Sequence, residues 1–204
     1  QLHDVEFTLS SDRIVTGTYM AAVAAAGGNV ILHDVPIRHI ESVIRVLDKV
    51  GCNINPKGNS LKISCDKRPN PYELLKTKPY PGFPTDMQSQ LMTVLSIADG
   101  ESTIVEEIFE SRYQNVNELK KMGANITVIN SENKALISGV KQLKSAVVKA
   151  HDLRAGAALV IAGLVAEGRT IVKNSASIER GYEDICRDLS NLGANIKFCS
   201  GNIL

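Results

Sequence analysis

Asp86 is the side chain of this sequence that is best placed to do acid–base chemistry. It follows residues 79–85 (PYPGFPT), which hold three prolines and one glycine and therefore predict a rigid, irregular connection. An aspartate held still at the start of a helix can act as a general base and accept a proton from a substrate hydroxyl group. The same position also suits a helix N-cap, whose carboxylate accepts hydrogen bonds from the first backbone N–H groups. From the residues alone, both interpretations stay open.

Three arginines could bind an anionic group beside that base. Arg38, Arg112 and Arg180 recur near the start of corresponding predicted helices. Arg180 lies in residues 177–182 (SIERGY), where the following glycine allows a mobile loop. A guanidinium group on such a loop suits bidentate capture of a phosphate or a carboxylate. The alternative for each arginine is a solvated surface position, with a nearby carboxylate as its partner.

Composition and motifs argue against several other classes of protein. The chain has 204 residues, with 23 basic and 22 acidic side chains and a net charge of +1, which opposes electrostatically driven nucleic-acid binding. There is no glycine-rich nucleotide motif and no Ser-His-Asp or Cys-His signature. The four histidines are scattered and the four cysteines form no C-x-x-C pair, so we expect no metal, no cofactor and reduced thiols. No apolar run is long enough to span a bilayer, and a cytoplasmic location away from the membrane is expected.

Internal repetition predicts the elements that position these residues. The pattern L-x-x-x-G-x-N-I occurs at residues 47–54, 119–126 and 189–196, so that its glycines are 72 and 70 residues apart. Two further markers keep the same order in each copy: an aspartate before an apolar helix and a glycine after it. Three units of about 70 residues are therefore predicted, over about residues 1–72, 73–144 and 145–204.

Each unit predicts the element order βαβαββ, and the fold class is therefore α/β. A short β-rich run precedes an aspartate that caps an apolar helix, as expected for Asp12 and Asp152. A β-branched strand, an amphipathic helix such as residues 40–50, and a hairpin follow. We expect the apolar helices, residues 17–26 and 155–166 among them, to lie inside the sheets. Their N-termini should then share one face that attracts anions.

The two ends of the chain predict strands with too few partners. Residues 5–9 should form the first strand of unit one, and residues 195–199 the first hairpin strand of unit three. The second hairpin strand of unit three is missing, and an unpaired sheet edge is unfavourable. The chain also begins with Gln rather than Met. We therefore expect a single domain from a longer protein, whose N-terminal domain is not included in these residues.

Several segments, spread over essentially the whole chain, resemble one family. They are residues 11–17 (SDRIVTG), 83–90 (FPTDMQSQ), 109–112 (FESR), 152–158 (DLRAGAA), 166–168 (AEG) and 179–183 (ERGYE). Together they closely resemble the UDP-N-acetylglucosamine 1-carboxyvinyltransferases, the enolpyruvyl transferases of peptidoglycan synthesis. The resemblance implies one domain of that family's inside-out α/β barrel. It also implies UDP-N-acetylglucosamine and phosphoenolpyruvate as substrates, and a part in cell-wall formation, cell shape and cell division.

The resemblance implies roles for individual residues as well. Asp86 matches the family's aspartate that contacts the sugar 3′-hydroxyl and is proposed to deprotonate it. Ile108 matches a position whose backbone contacts the UDP-sugar, and Arg180 matches an arginine that binds phosphoenolpyruvate. Three further residues are expected at the substrate cleft: Arg112, Asp152 and Arg154.

This sequence lacks the rest of the family's machinery. The cysteine acid on a mobile loop, a Lys-Asn pair and further phosphate-binding arginines belong to the family's other domain, so we expect this chain alone to be inactive and to bind the UDP-sugar weakly at best. Alternatives are the sibling 3-phosphoshikimate 1-carboxyvinyltransferase, an RNA 3′-terminal phosphate cyclase-like protein, and a non-catalytic binding domain. The PTDMQ and DLR segments favour the UDP-sugar enzyme over the sibling, and the near-neutral charge opposes the cyclase.

Overall fold

The computed structural model describes residues 2–110 and 112–199, which form six α-helices and eleven strands. The helices are α1 (Arg13–Ala26), α2 (Ile37–Lys49), α3 (Gln88–Leu95), α4 (Val116–Lys121), α5 (Leu153–Val165) and α6 (Ile185–Asn191). The strands are β1 (Gly28–Leu32), β2 (Asn53–Lys57), β3 (Ser60–Cys65), β4 (Leu75–Lys76), β5 (Glu101–Val105), β6 (Asn125–Ile129), β7 (Lys134–Ser138), β8 (Leu143–Lys144), β9 (Val147–Lys149), β10 (Ala166–Glu167) and β11 (Ile171–Lys173).

The helices α1, α3 and α5 pack against one another in the interior. All eight residues of α3 are buried, as are residues 155–162 of α5. Both α1 and α5 are rich in Ala and Gly, whose small side chains let neighbouring helices approach closely. A helix that is apolar on all sides has to be buried, which confirms the predicted interior position of these helices.

The sheets lie outside these helices, and the middle unit shows the complete βαβαββ order. Its four strands lie side by side as β4-β5-β7-β6, with β4 parallel to β5 and the other pairs antiparallel. Side chains alternate along β5, where Ser102 and Ile104 are buried and Glu101 faces solvent. The first unit repeats this order as β1-β3-β2, and the third contributes β9 parallel to β11.

Two predicted strands are not formed. Residues 5–9 belong to no helix or strand, and their apolar side chains Val5, Phe7 and Leu9 are at least 80% exposed. Residues 195–199 also follow α6 without any strand assignment. A strand is stabilised by a hydrogen-bonded neighbouring strand and by a buried face. Neither segment pairs with a strand within the described residues. The β-rich composition of both segments was a correct observation, but the predicted strands were wrong.

A buried carboxylate connects the second unit to the third. Glu118, on α4, is only 5% exposed and accepts hydrogen bonds from Lys121 Nζ at 2.7 and 2.8 Å and from the backbone N–H of Lys149 at 3.0 Å. His151 Nε2 lies 3.5 Å from the same carboxylate. Burial alone would raise the pKa of Glu118, but the bonds from Lys121, Lys149 and His151 outweigh it and hold the pKa below its ordinary value.

This lowered pKa predicts a pH-dependent contribution to stability. A carboxyl whose pKa is lower in the folded state stabilises the protein above its unfolded pKa, and this contribution is lost as the pH falls through the folded pKa. We expect Glu118→Gln to lower the free energy of unfolding by about 1–3 kcal/mol at pH 7 and by clearly less at pH 3. Urea unfolding at both pH values measures this. The exposed Glu41, paired with Arg45 on α2, supplies the control Glu41→Gln, and a Glu118→Gln deficit that is the same at both pH values would contradict the expectation.

Candidate active site

A rigid turn leads into α3 and carries Asp86. The backbone N–H of Lys78 donates to the carbonyl oxygen of Phe83 at 2.9 Å and closes the turn. A Cβ atom at Gly82 would lie 2.4 Å from Cβ of Lys78, so the turn has room only for glycine there. The 3-10 turn Thr85–Met87 then joins this segment to α3. The proline-rich sequence therefore does build a fixed support for the aspartate.

The carboxylate of Asp86 binds two arginines that are distant in sequence. Arg112 Nη2 lies 2.7 Å from Oδ1, while Arg154 places Nη2 at 3.1 Å and Nε at 3.3 Å from Oδ2. The N-cap interpretation is wrong for Asp86, because Met87 occupies that position and no side chain caps α3. The side chain of Asp86 is 37% exposed, which leaves it open to a ligand.

The starts of the three central helices lie at one end of the domain. Arg13, the first residue of α1, places its guanidinium 5.6 Å from the ring centre of Tyr80, which lies in the turn before α3. Arg154, in the first turn of α5, reaches Asp86 at the start of α3. The predicted common face of helix N-termini is therefore present, and Asp86 lies on it.

Two other aspartates act as helix caps, as predicted. The Oδ1 atom of Asp12 accepts from the backbone N–H groups of Ile14 and Val15 at 2.6 and 3.2 Å. The Oδ1 atom of Asp152 accepts from the backbone N–H of Ala155 at 2.8 Å. Asp152 therefore holds the first turn of α5, the turn that carries Arg154, and its expected position at a substrate cleft stays a prediction.

A buried polar layer lies beneath this face, and the sequence did not reveal it. Tyr182 is 3% exposed, and its hydroxyl lies 2.7 Å from Thr18 Oγ1 on α1. Gln90 of α3 donates to the same Thr18 oxygen at 3.1 Å. Burial raises the pKa of Tyr182, and the Thr18 hydrogen bond and the nearby Arg154 oppose that shift in part. Tyr182 therefore stays a neutral hydrogen-bonding group that connects residues 179–183 to the central helices.

The loop after β5 carries Ile108 and Phe109 beside Asp86. Its backbone is fixed by Glu106, whose Oε1 accepts from the N–H groups of Ile108 and Phe109 at 3.0 and 3.2 Å. Arg112 stacks its guanidinium 4.9 Å from the ring centre of Phe109 and at the same time binds Asp86. Sequence reasoning missed Glu106, since nothing in the sequence separates it from its exposed neighbour Glu107.

The three predicted arginines have different surroundings. Arg112 binds Asp86, whereas Arg38 is an exposed residue of α2. Arg180 is exposed on a turn, and a Cβ atom at the adjacent Gly181 would lie 2.8 Å from a methyl group of Leu153. The Arg180 turn therefore packs on the first turn of α5, the turn from which Arg154 reaches Asp86.

Metal-ligating groups, membrane-spanning helices and reactive cysteines are three further features of interest in the described residues. Within residues 2–110 and 112–199 there is no group of three or more His, Cys, Asp or Glu side chains arranged to hold a metal ion. Across the same residues, no helix has the length and apolar character to cross a membrane. Cys52 and Cys65 are buried and free, and burial raises the pKa of Cys52, which makes it a core thiol rather than a reactive one.

Comparison with known proteins connects this geometry to a family. A family model described as EPSP synthase (3-phosphoshikimate 1-carboxyvinyltransferase) matches residues 1–189. A UDP-N-acetylglucosamine 1-carboxyvinyltransferase of Desulfofundulus thermocisternus is 45% identical over 192 residues, which cover 94% of this chain and 78% of that protein. The chain belongs to the UDP-N-acetylglucosamine 1-carboxyvinyltransferase family. A second family member, from Caldanaerobacter subterraneus subsp. tengcongensis, is 45% identical over 96% of this chain and 46% of its own length.

Solved structures of the wider enolpyruvyl transferase group share the fold. The enolpyruvyl transferase NikO from Streptomyces tendae matches with a TM-score of 0.78 and 24% identity, over 94% of this chain and 45% of that chain. The EPSP synthase from Acinetobacter baumannii matches with a TM-score of 0.63 and 20% identity, over 81% and 40%. These likenesses confirm the predicted fold class. The chain spans less than half the length of the Caldanaerobacter family member, as it does for the two solved structures.

Proposed function

We propose that this chain is one three-unit domain of a UDP-N-acetylglucosamine 1-carboxyvinyltransferase and that it supplies the base of the reaction. The observation that carries the proposal is the Asp86 carboxylate, held between Arg112 and Arg154 where the three central helices begin. Guanidinium groups and helix N-termini at one face stabilise negative charge on bound phosphate groups and in a transition state. The family members that carry this enzyme's name, at 42–46% identity, support the choice of substrates.

In this proposal Asp86 accepts the proton of the sugar 3′-hydroxyl group. The sugar oxygen then forms a bond to the central carbon of phosphoenolpyruvate, while the methylene carbon takes a proton from an acid and becomes a methyl group. A base then removes one proton from this methyl group as inorganic phosphate leaves the central carbon, which restores the double bond and gives an enolpyruvyl ether. The backbone at Ile108 contacts the UDP-sugar and Arg180 binds phosphoenolpyruvate, while Arg112, Asp152 and Arg154 line the same cleft.

The acid and the remaining cations come from a second domain in this proposal. Two of the cysteines, Cys52 and Cys65, do not fit the acid, because they are buried at the ends of a hairpin. Free cysteines suit a reducing compartment, so we place the enzyme in the cytoplasm, in peptidoglycan synthesis and hence in cell shape and division.

A phosphate-release assay tests the proposal. We expect the protein expressed from its whole reading frame to release phosphate from phosphoenolpyruvate when UDP-N-acetylglucosamine is present. Because the matching family model carries the name 3-phosphoshikimate 1-carboxyvinyltransferase, shikimate 3-phosphate is the comparison substrate, and we expect little turnover with it. The 204-residue chain alone should release no phosphate. Turnover by that chain alone, or a preference for shikimate 3-phosphate, would contradict the proposal.

A further inference from the structure

Glu106 is a buried carboxylate with four hydrogen-bond donors around it. It directly follows β5 and is only 2% exposed. Its Oε1 accepts from the Thr77 hydroxyl at 2.8 Å and from the backbone N–H groups of Ile108 and Phe109, and its Oε2 accepts from the Thr85 hydroxyl at 3.0 Å. A carboxylate without a proton can accept about four such bonds, so the site is filled by donors. A charged side chain is almost never buried so completely unless such bonds compensate it.

The backbone of Glu106 is fixed independently of its side chain. Its N–H donates to the carbonyl oxygen of Asn133 at 2.9 Å, and its carbonyl oxygen accepts from Asn133 Nδ2 at 2.7 Å. The same Nδ2 donates to the carbonyl oxygen of Phe109 at 2.6 Å. Asn133 has a positive φ of 46° in the turn between β6 and β7, a conformation that asparagine tolerates. The hairpin therefore holds one side of the loop, and the Glu106 carboxylate holds the other.

The carboxylate joins the two parts of the proposed site. Through Thr85 it holds the residue before Asp86, and through two amides it holds the Ile108–Phe109 backbone. Arg112 also connects the two parts, because it stacks on Phe109 and binds Asp86. The base and the sugar-contacting backbone thus share one internal support, which lies behind both of them.

We propose that Glu106 is a positioning residue, which sets the Ile108 backbone and the Asp86 turn at a fixed separation for the nucleotide sugar. The proposal rests on the function proposed above for Asp86 and Ile108. Productive geometry in an active site depends on supporting hydrogen bonds that lock the groups touching substrate. Glu106 itself touches no substrate in this scheme, and its effect passes through Thr85 and the two amides.

Two replacements of Glu106 separate its acceptor role from its charge. Glu106→Gln keeps a carbonyl oxygen at the Oε1 position, and Thr85 can turn its hydroxyl to accept from the new NH₂ group. Glu106→Ala removes every acceptor and leaves two amides and two hydroxyls without partners. The control is Glu107→Ala, which removes the same charge one residue away, where the side chain is exposed and pairs with Lys76 at 3.0 Å.

The test combines amide exchange and ligand binding, both followed by NMR on the protein expressed from its whole reading frame. In Glu106→Ala we expect the amides of Ile108 and Phe109 to exchange about tenfold faster or more, while the amides of α1 and α5 keep their rates. We expect the dissociation constant for UDP-N-acetylglucosamine, read from shifts of the same amides, to rise about tenfold. Glu106→Gln should stay within about threefold of the wild type in both measurements. The control Glu107→Ala should give the wild-type values.

Unchanged exchange and affinity in Glu106→Ala would overturn the proposal. An equal loss of affinity in Glu106→Gln and Glu106→Ala would also overturn it, because loss of the charge would then be the cause. If Glu106→Ala does not fold, Thr85→Val, which removes only the bond at Oε2, should still weaken binding without speeding exchange at Ile108. If the wild-type protein from the whole reading frame shows no shift at about 10 mM UDP-sugar, the substrate assignment fails, while the exchange comparison and the Gln rescue still decide the positioning role.

Discussion

Replacing Asp86 with asparagine is expected to lower kcat by about 10²- to 10⁴-fold, the usual contribution of a general base. Asparagine is close in size to aspartate and keeps one oxygen to accept a bond from Arg112 or Arg154, so the fold should persist. It cannot take a proton from the sugar hydroxyl group. The measurement is steady-state phosphate release by the protein expressed from its whole reading frame, with both substrates saturating.

The matched control for this change is Asp48→Asn. Asp48 is an exposed residue near the end of α2, and its carboxylate forms no ion pair within the described residues. The control should keep the wild-type kcat, and both variants should unfold at temperatures close to that of the wild type. A kcat for Asp86→Asn within about threefold of the wild type would remove Asp86 as the base and leave it a structural partner of the two arginines.

Replacing Arg180 with methionine is expected to raise the KM for phosphoenolpyruvate by about 10²-fold, which corresponds to loss of a bidentate charge-assisted contact. Arg180 is exposed on a turn that packs against the start of α5, so the change removes no buried contact of the guanidinium. Arg180→Lys keeps the charge but loses the planar pair of donors, and it should fall between wild type and Arg180→Met. Initial rates over a range of phosphoenolpyruvate concentrations give the constants.

The repeated architecture provides the control for Arg180. Arg38 occupies the related place at the second helix of unit one and is also exposed, but it lies in α2 and forms no ion pair with Asp86 within the described residues. Arg38→Met should leave the KM for phosphoenolpyruvate unchanged. A rise in KM of equal size in both variants would indicate a general effect of surface charge on an anionic substrate, and the assignment of Arg180 would then fail.

The repeated elements were readable from the sequence because they depend on local patterns. The apolar composition of α1 and α5 required burial, and an aspartate directly before each helix predicted the caps formed by Asp12 and Asp152. The strands expected over residues 5–9 and 195–199 failed because composition alone does not supply a neighbouring strand.

What the sequence by itself determined was the α/β repeat, the rigid turn before α3 and the residue types able to do the chemistry. Only the tertiary structure decided which of them meet. Asp86 is 68 positions from Arg154 in the chain and contacts it because α3 packs against α5. Its carboxylate therefore forms an ion pair instead of capping a helix. Glu106 acquires its role in the same way: its burial and its four donors come from separate segments, and no local pattern records such a convergence.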